Sequence, residues 1–494
     1  MILKNLILNI EHKIINGIEE IEINDIQLDS KKVKQGDVFV AIKGFEQNGE
    51  EYIEEALQNG AIAIVTETAI TVNNPSITVV QVINSRIALA EMSAAFYGYP
   101  ANELKIIGVT GTKGKTTTAH IIRDMLLNSG KPCGLIGSVY ITYANNKFDA
   151  TRSCPESLNL QRILRDMVNA GMEYVVMEVT SHALELSRVH GIRFMMSIFT
   201  NLSQDHLDFH GTMDNYLAAK MKIFDQSEFA LINADDIYAP RIIKALKCKS
   251  ATYGLDNGSN LTAVDIRVNN KYVEFKMFIN KMLQKFVMNI PGRYSVYNAL
   301  AAIGAASMLG VQIDAIQKTL AEIKVPGRSE IVDIDKTFTV MIDFAHTPSS
   351  LESVLTAAKK YSKGRVICVF GCGGDRDSSK RAIMGEISGK LADFTVITTD
   401  NPRTESASKI IKQIEEGVNK TKGIYKIVEN RKEAIKFAMQ IAWRNDIIIL
   451  AGKGHETSQE LRNKVIHFDE REIVKEIASQ MEDKSSTYTF NNRY

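Results

Sequence analysis

Six short aliphatic runs carry no polar alternation: Ala61–Val65, Ile106–Val109, Tyr174–Val179, Val366–Phe370, Phe394–Thr398 and Ile447–Ala451. A strand that is apolar on both sides needs cover on both faces, which is the condition of a parallel sheet flanked by helices. Helical periodicity follows several of these runs, as at Thr116–Ser129 and Ser157–Ala170. The expected fold class is therefore α/β throughout. At 494 residues the chain outgrows one core, and about 100–200 residues per domain suggests about three domains. Two breaks, Tyr97-Gly98-Tyr99-Pro100 and Val325-Pro326-Gly327-Arg328, part helical stretches from new strand runs. They divide the chain into 1–100, 101–327 and 328–494. The polar tail Asp483–Tyr494 is expected to fray.

A net charge of +1 gives no global field toward nucleic acid or membrane surfaces, so any anion must be held by local sites. The five cysteines are scattered without metal-ligand spacing, as expected of reduced thiols in a cytoplasm. Met1–Ile10 has neither a long apolar run nor a cleavage site, and no stretch has the length and apolarity of a membrane span. A cytoplasmic protein without membrane or nucleic-acid partners is expected.

The strongest local signal is the run Ile106-Ile107-Gly108-Val109-Thr110-Gly111-Thr112-Lys113-Gly114-Lys115-Thr116-Thr117, in which a strand enters a glycine loop and a helix follows at once. Glycines let backbone N–H groups curl around phosphate oxygens, and the helix N-terminus adds positive potential. Lys115 would reach the terminal phosphates of ATP, and the Thr116 hydroxyl would ligate Mg2+. Only two residues separate Gly111 from Gly114, where the standard loop has four. The loop indicates nucleotide binding and leaves the reaction open.

Two further clusters stand at strand ends, where α/β sheets place ligands. Glu178 ends one strand and could hold a second Mg2+, or be simply solvated. Asp205, His206, Asp208 and His210 crowd into six residues, suggesting metal or phosphate chemistry. No Glu or Cys pattern supports zinc there, and a phosphate loop favours magnesium. Tyr216–Phe224 reads as an amphipathic helix on which Lys220, taken alone, is a surface charge.

Thr110–Thr117, Met177–Ala183 and Thr200–Gly211 resemble the ATP-binding domain of Mur ligases. The likeness continues in order along the chain. Pro291–Ala299 resembles the family's adenine-side segment, Val325–Glu330 its hinge, and Asp343–Pro348 its nucleotide-facing C-terminal segment. Gly371–Asp377, Lys380-Arg381, Asp400–Arg403 and Gly452–Glu456 resemble the amino-acid-binding domain of the branch that adds the third residue to the cell-wall precursor peptide.

The resemblance implies three α/β domains: an N-terminal UDP-binding one, a central P-loop mononucleotide-binding one and a C-terminal Rossmann-like one. It implies an ATP-dependent ligase that forms an amide through an acyl phosphate, in the cytoplasm, as a monomer. Gly111, Thr112, Lys113, Gly114, Lys115, Thr116, Thr117, Asn298, Arg328, Asp343 and His346 would hold ATP, and Thr116, Glu178 and His206 would hold Mg2+. Lys115, Lys220 and His206 would be catalytic, with Lys220 matching a lysine that the family carbamylates. Ser30, Ser153, Cys154, Thr180 and Arg188 would contact UDP-MurNAc-L-Ala-D-Glu. Arg376, Asp400, Asn401, Pro402, Arg403, Gly452 and Glu456 would contact the added amino acid.

The Asp-Asn-Pro-Arg motif implies meso-diaminopimelate as that amino acid, with L-lysine the alternative. A folylpolyglutamate- or cyanophycin-type ligase and a P-loop ATPase module are more remote. Three departures stand out: Asn48-Gly49-Glu50 for the family's usual Asp-Gly-His, Ser153-Cys154-Pro155 for Thr-Thr-Pro, and Phe344 for Tyr.

Overall fold

The computed structural model describes residues 1–44, 48–150, 152–256, 258–279 and 281–481; the tail Asp483–Tyr494 lies outside them. Two compact units emerge, one of Met1–Thr262 with Leu300–Ile316 and one of Ala263–Ala299 with Gln317–Tyr494.

The first unit holds two sheets. The N-terminal sheet is five-stranded, in the order His12–Asn16, Thr78–Val82, Ala63–Thr66, Val38–Val40, Ile26–Gln27. Only its first pair is antiparallel. Val38, Val40, Ala63, Val65 and Val80 pack against Leu3, Leu6, Ala88 and Met92 on one face, while Phe39 and Ile64 meet Ile53 and Ala56 on the other. Both sides of the three central strands are thus buried, which explains the continuous apolar pattern.

The larger sheet of this unit runs Lys249–Gly254, Phe229–Asn233, Met196–Phe199, Lys105–Thr110, Tyr174–Glu178, Cys133–Ile136, all parallel. Two antiparallel strands, Tyr140–Tyr143 and Asn146–Asp149, extend it. The latter is exposed along its length, so no apolar run announced it. Lys105–Thr110 lies between Met196–Phe199 and Tyr174–Glu178, so the loops after these three strands emerge side by side.

In the second unit, a six-stranded sheet runs Glu330–Val332, Thr339–Asp343, Ile447–Ala451, Val366–Phe370, Phe394–Ile397, Tyr425–Ile427. All pairs but the first are parallel. Alternate residues of one strand serve two cores: Ile448 and Leu450 pack with Ala434, Ile435, Val474 and Ile477, whereas Ile447 and Ile449 pack with Leu351, Leu355, Met384 and Ile414. Full burial of each such aliphatic side chain stabilises by about 1.5–3 kcal/mol. An antiparallel meander, Leu261–Val268, Val273–Ile279 and Met282–Met288, and an antiparallel pair, Ser458–Leu461 with Lys464–His467, account for the remaining described strands. No helix among the described residues is long and apolar enough to cross a membrane.

Candidate active site

The glycine loop leaves strand Lys105–Thr110 and ends on Gly114, whose φ of +84° starts the helix Lys115–Asn128. Gly111 has φ +142°, and a Cβ there would stand 2.0 Å from Thr200 Oγ1. Glycine is needed on both counts, conformation and space. The loop is pinned from the neighbouring strand end: Thr112 N donates to Asn201 O (2.8 Å) and Lys113 N to Asn201 Oδ1 (3.0 Å). Thr200 Oγ1 and Asn201 Nδ2 donate to Lys113 O at 2.7 and 2.9 Å. Lys115 Nζ folds back onto Gly111 O and Thr112 O, both at 2.9 Å. Thr117, the third residue of the helix, is buried.

Thr116 Oγ1 donates to Glu178 Oε2 (3.0 Å), and Ser138 donates to the same carboxylate through N (2.6 Å) and Oγ (3.0 Å). Glu178 is 1% exposed, so this oxygen cluster is desolvated, and the solvated strand-end alternative is overturned. Hard oxygen donors of this kind fit Mg2+, which keeps several waters and phosphate ligands. Among the described residues no three His, Cys, Asp or Glu side chains converge as a metal cage. His206 takes a left-handed backbone (φ +52°) and stays half exposed beside Asp205 at 3.7 Å. Its ring meets His182, which also contacts Phe209 and His210. His210 accepts or donates at Ser181 Oγ (2.9 Å) and stacks on Tyr216.

Lys220 is not a surface charge: it is 2% exposed. Gly108 lets its helix, Met213–Asp225, approach the sheet, for a Cβ there would meet Ile223 Cδ1 at 2.9 Å. The approach carries Lys220 Nζ beneath the loop, where it donates to Gly111 O (2.9 Å) and lies 4.5 Å from the Tyr216 ring centre. Burial, reinforced by the Lys115 ammonium, holds the Lys220 amine well below its ordinary 10.5.

Of the residues expected to contact the sugar-peptide, Ser153 Oγ lies 2.8 Å from Ser138 Oγ, two hydrogen bonds from Glu178. Cys154 is buried, its thiol pushed up to about 12 by burial, and its carbonyl accepts from Arg188 Nη1 (3.4 Å). Thr180 caps the helix Ser181–Glu185. Arg188 shares Glu156 with Arg86 and Arg152 at 3.2, 3.9 and 3.7 Å, leaving cationic charge in excess. Ser30 lies apart from these contacts, donating to Glu55 Oε2 at 2.5 Å. Glu50, where the family usually has histidine, binds Thr66 Oγ1 and Thr68 through three hydrogen bonds.

In the second unit the loops again leave the C-terminal ends of parallel strands. Asp343 accepts from Ser329 N (2.8 Å) and Oγ (3.1 Å), and Ser329 Oγ also bonds Tyr294. Burial raises the Asp343 carboxyl, opposed by Arg328 nearby. Arg328 packs over Phe344, whose ring also meets His346 and His455. Asn298 is buried on helix Arg293–Met308.

Asp400, Asn401, Pro402 and Arg403 lie against the 371–377 and 452–461 segments. Arg403 donates to Glu460 Oε2 (2.7 Å) and Gly374 O (2.8 Å). Asn401 Nδ2 donates to Glu456 Oε2 (2.8 Å). A Cβ on Gly452 would stand 2.6 Å from Asp400 Oδ2. Arg376 is exposed. Sequence reasoning passed over three cations here. Lys453 is fully buried beside Asn401 and Glu456; Arg431 pairs with Glu470 beneath Asp400; Arg381 ties Glu405 to Gly373 O. Lys453 and Arg381 stood inside quoted motifs, but Arg431 carries no local signal, because its partners are 39 and 31 residues away.

A desolvated oxygen cluster at a phosphate loop, joined to α/β modules with polar loops at strand ends, defines the class: a nucleotide-dependent ligase of modular build. Three family models match in series, the Mur ligase family catalytic domain over residues 22–97, the Mur ligase middle domain over 109–306 and the Mur ligase glutamate ligase domain over 327–454. The chain belongs to the Mur ligase family.

It is 44% identical over 484 residues to the UDP-N-acetylmuramoyl-L-alanyl-D-glutamate–2,6-diaminopimelate ligase of Clostridium perfringens, covering 97% of this chain and 99% of the relative. It is 46% identical over 484 residues to such a ligase, the first of two, from Clostridium acetobutylicum, covering 97% of this chain and 100% of the relative. A solved structure of a ligase of that name superposes with a TM-score of 0.68 at 30% identity, covering 93% of this chain and 95% of the other.

Proposed function

We propose that the chain joins meso-diaminopimelate to UDP-MurNAc-L-Ala-D-Glu in peptidoglycan synthesis, as an ATP-dependent amide ligase. The observation that carries this is near-full-length identity to proteins named as that ligase. It acts in the cytoplasm as a monomer. Residues 1–100, 101–327 and 328–494 serve as uridine-side, ATP and amino-acid domains, a division supported by the three serial family matches.

The substrate carboxylate attacks the γ-phosphorus of ATP and ADP leaves; the incoming amine then attacks the acyl phosphate carbon and phosphate leaves. Both steps gather negative charge, so the protein acts by positioning and by cationic clamps. Loop residues Gly111–Thr117 wrap the phosphates, and Lys115 exchanges its loop carbonyls for phosphate oxygens. Thr116, Glu178 and His206 would hold Mg2+, which would supply neutralisation of phosphate charge. Asn298, Arg328, Asp343 and His346 hold the rest of the nucleotide. The Lys220 amine, kept neutral by burial, would add to carbon dioxide, forming an N–C bond and releasing a proton; the resulting carbamate would replace a neutral amine with an anionic oxygen donor suited to a metal.

Ser30, Ser153, Cys154, Thr180 and Arg188 contact the nucleotide-peptide. Diaminopimelate brings a second amino-carboxylate end. Arg403, Arg376 and Asn401 donate to carboxylates, while Asp400, Glu456 and the Gly452 carbonyl accept from ammonium; Pro402 shapes the loop between them. Lysine lacks the distal carboxylate and would leave the buried Asn401 amide donor unpaired, a penalty that discriminates strongly.

The test is ATP turnover with and without the nucleotide-dipeptide and amino acid. ADP release that requires the carboxylate substrate is expected. Turnover indifferent to it would instead make the chain an ATPase module.

A further inference from the structure

The ammonium of Lys453 has no part in the chemistry above, yet it lies at the centre of the amino-acid loops. It is fully buried. Its polar partners are Asn401 Oδ1 and Glu456 Oε2, each at 3.0 Å, and the Phe468 ring lies 5.9 Å away. Removing an ammonium from water is costly unless hydrogen-bonded counter-groups receive it. Here the receiving groups are two side chains assigned to the substrate.

The geometry decides how those side chains face outward. Asn401 Oδ1 accepts from Lys453 Nζ and from the Glu460 backbone N–H (3.1 Å), two groups that can only donate. The amide nitrogen is therefore turned toward Glu456 Oε2, 2.8 Å away. One Nδ2 hydrogen is used in that bond and the second remains to be offered. Lys453 and Asn401 both bind Glu456 through Oε2, so Oε1 is the oxygen presented to a ligand.

We propose that Lys453 is a positioning residue for the incoming amino acid. It fixes Asn401 as a hydrogen-bond donor suited to a carboxylate, and it fixes Glu456 as an acceptor suited to an ammonium. The two loops then read an amino-carboxylate end with matched polarity. This rests on the diaminopimelate ligase reading. Without the cation the Asn401 amide loses one of the two donors that set its orientation, and Glu456 loses its buried counter-charge.

The experiment uses the full-length enzyme and its variants Lys453→Met, Lys453→Gln, Glu456→Gln and Lys453→Met/Glu456→Gln. KM for meso-diaminopimelate, ATP and the nucleotide-dipeptide is measured with the other two saturating, alongside Tm. Lys453→Met should raise KM for diaminopimelate at least tenfold, with the other two KM values within twofold. The double variant should be no more than twofold worse than the poorer single, because both changes remove one interaction. Lys453→Gln, uncharged but able to donate, carries the test if Lys453→Met does not fold, and it too should raise that KM. A folded Lys453 variant with unchanged KM for diaminopimelate, or losses that multiply in the double variant, would overturn the proposal. Wild-type enzyme that makes no amide with diaminopimelate would overturn the functional reading itself.

Discussion

Replacing Arg431 by Met removes the cation from a pair in which both side chains are 0% exposed: Arg431 Nε to Glu470 Oε1, 2.8 Å. Breaking a buried pair from one side leaves an uncompensated charge and costs about 3–5 kcal/mol. Arg431 Nη2 also donates to Ala451 O (2.9 Å), and an orphaned buried carbonyl costs about 1–3 kcal/mol. With a urea m-value of about 2–3 kcal/mol per molar, the pair alone shifts the midpoint down by about 1–2.5 M. Trp443, the only tryptophan, lies in this module and gives it a local fluorescence signal beside far-UV circular dichroism. The double variant Arg431→Met/Glu470→Leu deletes both charges and should recover most of the loss, keeping only the Ala451 deficit. A single-variant shift below about 0.3 M, or a double variant no better than the single, would refute the reasoning, since a one-sided break of a dry pair should exceed that several-fold.

Gly111→Ala should weaken ATP binding at least tenfold, read by titration calorimetry, because the new Cβ would overlap Thr200 Oγ1 at 2.0 Å and the backbone at φ +142° resists a side chain. Burial, helped by His206 and His210, holds the His182 imidazole down at about 4. The unfolded chain takes that proton near 6.5, so the contribution is present above pH 6.5 and lost as pH falls toward 4. His182→Phe should flatten the stability profile in that window, measured by chemical denaturation; an unchanged slope would contradict it. Lys220, whose amine is held well below 10.5, is protonated in the unfolded chain over a range where the folded chain leaves it neutral. Stability in carbon-dioxide-free buffer should therefore rise with pH up to about 10.5, and Lys220→Met should lose that slope.

Strands buried on both faces were legible almost to the residue. Val366–Phe370 and Ile447–Ala451 match the observed bounds, and the helix expected at Thr116–Ser129 is Lys115–Asn128. Asn146–Asp149 and the Leu261–Met288 meander were not read, because exposed or half-exposed antiparallel strands carry no continuous apolar signal. The phosphate loop was legible because its chemistry is local in sequence. The depth of Lys220 was not: it depends on Gly108 admitting a helix from over a hundred residues away. Arg431 and Glu470 were invisible for the same reason, since two charges separated in sequence look like surface residues until the fold makes them dry.

The central claim is tested most directly by amide formation from UDP-MurNAc-L-Ala-D-Glu and ATP, offered meso-diaminopimelate or L-lysine in parallel. Product with diaminopimelate and at least a hundredfold lower kcat/KM with lysine is the predicted result. Equal or preferred use of lysine would contradict the reading of Asn401, Arg403 and Glu456 as a site for a second amino-carboxylate end.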